Sequence, residues 1–369
     1  MIRAAADREP HDAATVSSRN ERQPIETLIK AHAYGLGFDL AGITALGPVG
    51  TAPRFRQWLA EGMAGEMQYL ERGAHARLDT RRPFEGTRTA VVVALDYGGR
   101  EPGGPVARYA RGDDYHDVMV ARLRELHGRV RELVGRDVRG KAYVDTGPIL
   151  ERDLARQAGL GWFGKNTMLI NPRLGSFFFL GALVLDVELT PDAPFDADRC
   201  GSCTRCLDAC PTGALVEPRV LDARRCVSYL TIEQRGEIPV EFRAAMSGLL
   251  YGCDICQEVC PWNVRFARDM PNDSPYAPRE VLAGKDARQL ARDLLGMTQP
   301  GFGAALKGSP MKRAKMRGLK RNAAVVLGNV GTEDDVGLLE HVRVEEPDEM
   351  VRVHVSWALG RVRDRSDAR

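Results

Sequence analysis

Outside residues 200–260 the 369-residue chain has no cysteine, and nowhere has it an apolar run long enough to cross a membrane. The longest such run, Phe177 to Leu185, falls well short of the roughly 20 residues a spanning helix needs. Residues 1–24 lack the apolar core of a secretory signal and read as a polar, mobile extension. An excess of either charge is also missing. The formal net charge is only +2, so affinity for a polyanion has to come from local clustering. These absences argue against a membrane protein and against a secreted disulfide scaffold. What remains, 44% hydrophobic and 28% charged, suits two or three soluble domains with buried cores.

All eight cysteines lie in the runs Cys200-x2-Cys203-x2-Cys206-x3-Cys210-Pro211 and Cys253-x2-Cys256-x3-Cys260-Pro261, with Cys226 between them. The first spacing is the one bacterial ferredoxins use for a [4Fe–4S] cube, and in two-cluster proteins its fourth cysteine serves the other cube. Crossing the fourth ligands gives Cys200, Cys203, Cys206 and Cys260 to one cluster. Cys210, Cys226, Cys253 and Cys256 go to the other. Zinc is the main alternative, but it favours paired Cys-x2–4-Cys and has no use for a proline after each run. The Cys-x3-Cys-x2-Cys run of radical enzymes is absent. The spacing therefore predicts one-electron transfer. Thiols destined for iron–sulfur clusters would also suit a reducing cytoplasm, where the chain is expected.

Strands alternating with helices before residue 190 predict an α+β or α/β catalytic domain. Helices are expected over 25–38, 54–59, 117–134 and 151–158, and strands over 39–44, 90–97 and 138–144. A Gly-rich hairpin region covers 159–189. Gly159 to Lys165 imitates a nucleotide-binding loop, but a helix precedes it and Asn166 stands where a P-loop needs Ser or Thr. Such glycines more often let a backbone approach a neighbour. Asp114-x-His116 resembles part of a cobalt-ligating signature but has Met119 where glycine is required, so His116 reads as a helix-start histidine.

Beyond the cysteines, Leu319 to Gly328 aligns with Val351 to Gly360 at a spacing of 32 residues, which fits stacked helix pairs of the HEAT type. Between 301 and 332 lie Lys307, Lys312, Arg313, Lys315, Arg317, Lys320 and Arg321 and no acidic residue. That stretch is either a solvated helix face or a phosphate-tracking surface. Asp145, after a predicted strand and beside Tyr143, Val144 and Pro148, has two readings. Burial would raise its pKa and make it a proton donor, or it caps the following turn.

Taken together, Val144-Asp145-Thr146-Gly147-Pro148, Glu151-Arg152, Gly161-Trp162-Phe163-Gly164-Lys165-Asn166, Gly175-Ser176, the cysteine pattern, Arg225-Cys226-Val227-Ser228-Tyr229-Leu230-Thr231 and Tyr251-Gly252-Cys253-Asp254-Ile255-Cys256-Gln257 resemble the epoxyqueuosine reductases. The resemblance spans about residues 25–360. It implies an α+β architecture with an N-terminal α/β cobalamin-binding domain (25–194), a two-cluster ferredoxin-like domain (195–265) and a HEAT-like helical tail (266–369) that binds tRNA. Two [4Fe–4S] clusters would reduce cobalamin, and the epoxide of epoxyqueuosine at the tRNA wobble position would be reduced to queuosine with Asp145 as proton donor. Gln68, Arg108, Asp145, Arg152, Leu169, Ser176, Leu180, Ser228 and Asp254 would surround the corrinoid. Lys312, Arg313, Lys315, Arg317, Lys320 and Arg321 would meet tRNA. An external flavodoxin- or ferredoxin-type donor is implied, and a monomer is expected. The alternatives are a corrinoid reductive dehalogenase-like enzyme, a non-catalytic ferredoxin-type carrier, and an RNA-binding scaffold with structural clusters.

Overall fold

A computed structural model describes residues 23–271 and 273–367; the extension expected at 1–24 lies outside them but for its last two residues. The N-terminal part is built on a four-stranded sheet in the spatial order Leu40–Ala45, Thr89–Asp96, Phe178–Leu185, Gly140–Tyr143. Every neighbouring pair is antiparallel. This corrects the α/β expectation for the N-terminal domain, while the mixed α+β class stands. The cause is burial on both faces. Val91, Val93 and Leu95 face Ile29, Met119, Leu123 and Leu126 from the helices Ile25–Gly35 and Tyr115–Val134. Ala90, Val92 and Ala94 face Leu154 and Ala155 of the helix Glu151–Gln157. A strand covered on both sides reads as a continuous apolar run, the pattern usual for parallel sheets.

Local chemistry sets the elements that matter to the site. Asp114 caps the helix Tyr115–Val134 by accepting from the His116 backbone N–H at 3.1 Å, which fixes His116 in its first turn. The glycine-rich loop folds into the hairpin Trp162–Phe163/Leu169–Ile170. A Cβ on Gly161 would lie 2.2 Å from the Ile170 carbonyl oxygen, so the glycine serves close backbone approach, as expected.

The cysteine segment consists of loops and short helices, among them Arg205–Asp208, Ile255–Glu258 and Pro261–Phe266. It is bound to the N-terminal part by Trp58, whose Nε1–H donates to the Leu221 carbonyl at 2.6 Å. The Tyr229 hydroxyl adds a second tie, accepting from the Glu66 N–H at 2.7 Å. Gly65 beside it has φ +59° and no room for a Cβ, which would stand 2.4 Å from the Tyr229 hydroxyl. The segment around Gly65 and Met67 thus packs against the cysteine segment.

In the tail, the two halves of the 32-residue repeat fall on the helices Lys315–Val330 and Glu349–Asp367, which pack together. At their contact Gly328 leaves room for Trp357. No helix among the described residues is long and apolar enough to cross a membrane. The basic stretch divides. Arg321 is 1% exposed. Its Nη1 donates to the Gln234 and Gly236 carbonyls at 2.7 Å, and its Nη2 to that of Leu230 at 2.6 Å. Burial pushes this guanidinium down to about 10. The expectation that Arg321 meets tRNA is therefore corrected, because it lies on the inward face of its helix and satisfies carbonyls there. Lys320 is also withdrawn, its Nζ held 2.7 Å from Glu346. Replacing Arg321 by Met leaves those buried carbonyls without donors. The expected loss is about 2–4 kcal/mol of unfolding free energy by urea denaturation, and an unchanged midpoint would contradict this account.

Candidate active site

All eight thiols are free and gather into two adjacent quartets. Cys200, Cys203, Cys206 and Cys260 border one cavity of about 540 Å³, together with Ile170, Pro172 and Trp262. Within this set Cys206 feels Cys260 and Cys200, and Cys260 feels Cys200 and Cys203. In the other set Cys253 feels Cys226 and Cys210, and Cys256 feels Cys253, Cys226, Cys210 and, across the gap, Cys206. Burial pushes the Cys206 thiol up to about 11 and that of Cys253 up to about 12, so iron has to displace protons on binding. Eight cysteines in ferredoxin-type spacing suit two cubes better than tetrahedral zinc. Backbone N–H groups already point at the sulfurs, such as that of Ala214 at 3.2 Å from Cys210 Sγ.

Of the residues expected around a corrinoid, Arg108, Ser176 and Asp254 converge on the second cysteine run. Arg108 Nη1 lies 2.9 Å from Asp254 Oδ2 and 2.7 Å from Glu258 Oε1. Its guanidinium thus holds a loop in place and presents no free charge. Ser176 donates to Gln257 at 2.9 Å and accepts from Asn263 at 2.9 Å. Ser228 lies next to the Cys226 sulfur and favours its thiolate, against the burial that raises its pKa. Leu169 is buried in the hairpin, and Leu180 is half-buried on the central strand. Gln68 and Arg152 are exposed, with Arg152 reaching the Thr167 carbonyl at 2.5 Å.

Asp145 stands two residues beyond the strand Gly140–Tyr143 with φ +54°, a left-handed conformation that costs a non-glycine residue about 1–2 kcal/mol. It caps no helix; the N-cap of Glu151–Gln157 is Leu150. Its side chain is 67% accessible, and Tyr115, His116, Glu151 and Arg152 are its electrostatic neighbours. Enclosure pushes its carboxyl up. The His116 ring, the Tyr115 hydroxyl and Arg152 outweigh this, so the net displacement is downward. The expectation that burial keeps Asp145 protonated is thereby corrected.

The protons sit on its neighbours. His116 Nδ1 is 2.6 Å from Asp114 Oδ1, and its Nε2 is 3.5 Å from Asp145 Oδ2. Burial opposes charge on this ring, but the two carboxylates raise its pKa to about 9. Burial, reinforced by the Asp145 charge, lifts Glu151 to about 8. Environments that drive neighbouring pKa values apart mark acid–base sites. Glu151 Oε1 is buried without a hydrogen-bond partner, which fits a polar ligand beside it.

Sequence reasoning missed Tyr115, the His116–Asp145 contact and the role of Glu151. The Asp114-x-His116 spacing at a helix start was the available signal. It also missed Tyr69, which joins the basic stretch to this site: Arg313 Cζ lies 5.6 Å from the Tyr69 ring centre, and both residues feel Asp145. Because the folded pKa of His116 lies above its ordinary 6.5, its contribution to stability is complete below about 6.5 and lost as pH rises through about 9. A proton NMR titration of the imidazole is expected to give a midpoint near 9, falling toward the ordinary value in Asp114→Asn. A native midpoint at the ordinary value would refute the pairing.

Residues 199–263 match the 4Fe-4S double cluster binding domain, and residues 77–146 match the family model described as epoxyqueuosine reductase QueG. An epoxyqueuosine reductase of Pseudomonas aeruginosa is 40% identical over 348 residues, covering 90% of this chain and 93% of that protein. Its counterpart in Salmonella typhimurium is 36% identical over 92% of this chain and 89% of its own length. The fold is similar to a crystal structure of epoxyqueuosine reductase with an epoxyqueuosine-modified tRNA-Tyr stem loop, at TM-score 0.82 and 30% identity, covering 93% of this chain and 92% of that one. It is also similar to a Bacillus subtilis epoxyqueuosine reductase with its catalytic aspartate loop swung out of the active site, at TM-score 0.81 and 29% identity over 92% and 90% of the two chains. The chain belongs to the epoxyqueuosine reductase family.

Proposed function

We propose that this chain reduces the epoxide of epoxyqueuosine at the wobble position of tRNA, giving queuosine. The observation that carries this reading is the meeting, at Tyr69, of a basic corner with a proton-storing acid–base cluster. Converting an epoxide to an alkene and water consumes two electrons and two protons. Near neutral pH the site holds two protons beside Asp145, one on the His116 imidazolium and one on the Glu151 carboxyl. Asp145 is ionised at rest, so in this scheme it takes a proton from His116 Nε2 and presents it to the epoxide oxygen. Tyr115 and Arg152 hold its carboxylate in place, and Arg77, with Nη2 3.5 Å from the Gly147 carbonyl, supports the loop from beneath.

When bound, cobalamin and two [4Fe–4S] clusters supply the low-potential electrons. The quartet Cys200, Cys203, Cys206 and Cys260 would ligate one cube, and Cys210, Cys226, Cys253 and Cys256 the other. Ser176, Ser228 and Asp254 near the second cysteine run, with Arg152 and Glu151 near Asp145, would hold cobalamin, and the buried Glu151 Oε1 would be free to take a polar group. The tail acts as a HEAT-like support for the anticodon stem. Lys312, Arg313, Lys315 and Arg317 face the RNA, and a reducing cytoplasm suits the clusters.

Two experiments bear on this. Asp145→Asn should retain full iron and cobalamin content but lose about 10²–10⁴-fold in turnover of an epoxyqueuosine-containing stem-loop; native-like turnover removes its assigned role. Charge reversal at Lys312 and Lys315, neither of which is ion-paired among the described residues, should weaken stem-loop binding about tenfold or more. It should also flatten the dependence of affinity on salt. Unchanged affinity would make this stretch plain surface.

A further inference from the structure

The cavity bordered by Cys200, Cys203, Cys206 and Cys260 is lined by Lys165, Arg199, Arg205 and Arg265, and no carboxylate lines it. The three arginines are exposed, and none of the four cations is ion-paired among the described residues. Nearby acids are already engaged: Asp198 with Arg219 at 2.5 Å and Asp196 with Arg156 at 3.0 Å. Two of the guanidiniums are laid over rings, Arg199 at 5.5 Å from the Phe195 centre and Arg265 at 5.2 Å from that of Phe266. This limits the side-chain entropy lost on contact. Within the ring of cations, Trp262 stacks on Phe266 at 5.6 Å, and beside them Val264 is 70% exposed. An apolar centre inside a rim of one charge is the anatomy of a protein–protein contact.

From this we infer a docking surface for an acidic one-electron carrier protein, which delivers electrons at the Cys200, Cys203, Cys206 and Cys260 quartet. The inference rests on the proposed function, since it requires a cube among those sulfurs. Two successive one-electron deliveries match the two electrons each epoxide consumes. Complementary charge would speed encounter and orient the carrier. RNA suits this face less well. Trp262 is packed edge-on against Trp162 at 4.9 Å, and Trp162 is stacked on Phe195, so these rings are committed to one another and not free to take bases. A closed-shell polyanion also has nothing to exchange with the sulfurs.

The test is calorimetric titration of the cluster-loaded protein with an oxidised, acidic flavodoxin at low ionic strength. In Arg199→Glu/Arg265→Glu, with iron content verified as native, the carrier should bind at least tenfold more weakly and with a shallower salt dependence, while stem-loop affinity stays unchanged. Arg265→Glu alone, farther along the chain from any cysteine, should shift binding in the same direction by less. Unaltered carrier affinity overturns the inference, as does loss of stem-loop binding in its place. Turnover of the modified stem-loop by the native protein with dithionite is scored separately and bears on the proposed function alone.

Discussion

Arg108 and Asp254 face each other at 2.9 Å in the interior, and the relation between the thiol quartets and the acid–base cluster depends on that contact. The backbone N–H of Arg108 also donates to the same carboxylate oxygen at 2.8 Å. Alongside, Ala107 donates to the Tyr251 carbonyl at 2.8 Å and Leu250 to that of Pro105 at 2.7 Å. The chain at 105–108 is thereby laid against the chain at 250–254. One strip leads within a few residues to His116, and the other carries Cys253 and Cys256. Neither charge would be stable alone at this depth. With Arg108 removed, Asp254 is left without its guanidinium partner at a cost of about 3–5 kcal/mol, whereas Arg108 without Asp254 would keep Glu258. The pair does more to fix register between the two halves of the site than to add net stability.

Much of this was legible in the sequence. Cysteine spacing alone led to the expectation of two crossed quartets, because the preference for fourth ligands from the opposite run is a property of the two-cluster spacing and not of the surrounding fold. The longer helices and the strands of the four-stranded sheet were readable from periodicity to within a few residues, but the short helices Gln68–Arg72 and Ala74–Arg77 were not. Sheet direction was not. Phe178–Leu185 is apolar on both faces because helices cover both, and the direction of its neighbours leaves no trace in such a run. The acid–base cluster was half readable. Asp145 stood out by its place after a strand, but its protonation depends on His116, which comes from a different element and lies 3.5 Å away. No one-dimensional pattern carries that distance.

The basic tail shows the same limit. Seen in sequence, Lys312 to Arg321 is a single block of positive charge. In the folded protein helical rotation distributes it over different faces: Arg321 turns inward to three carbonyls, and Lys320 to Glu346. Arg313 keeps half its side chain in solvent while pairing with Glu233 at 2.8 Å. Only part of the block is available to a phosphate backbone, the part nearest Tyr69 and Asp145.

Each expected thiol quartet draws on both ends of the cysteine segment: Cys260 joins Cys200, Cys203 and Cys206 around one cavity, and Cys253 and Cys256 feel Cys210 and Cys226. During synthesis on the ribosome neither set of four exists until the chain has been extended to about residue 260. The N-terminal sheet, complete by Leu185, can form earlier. Iron insertion thus has to wait for the chain beyond the sheet, and a nascent chain stalled before that point would carry metal-free sulfur.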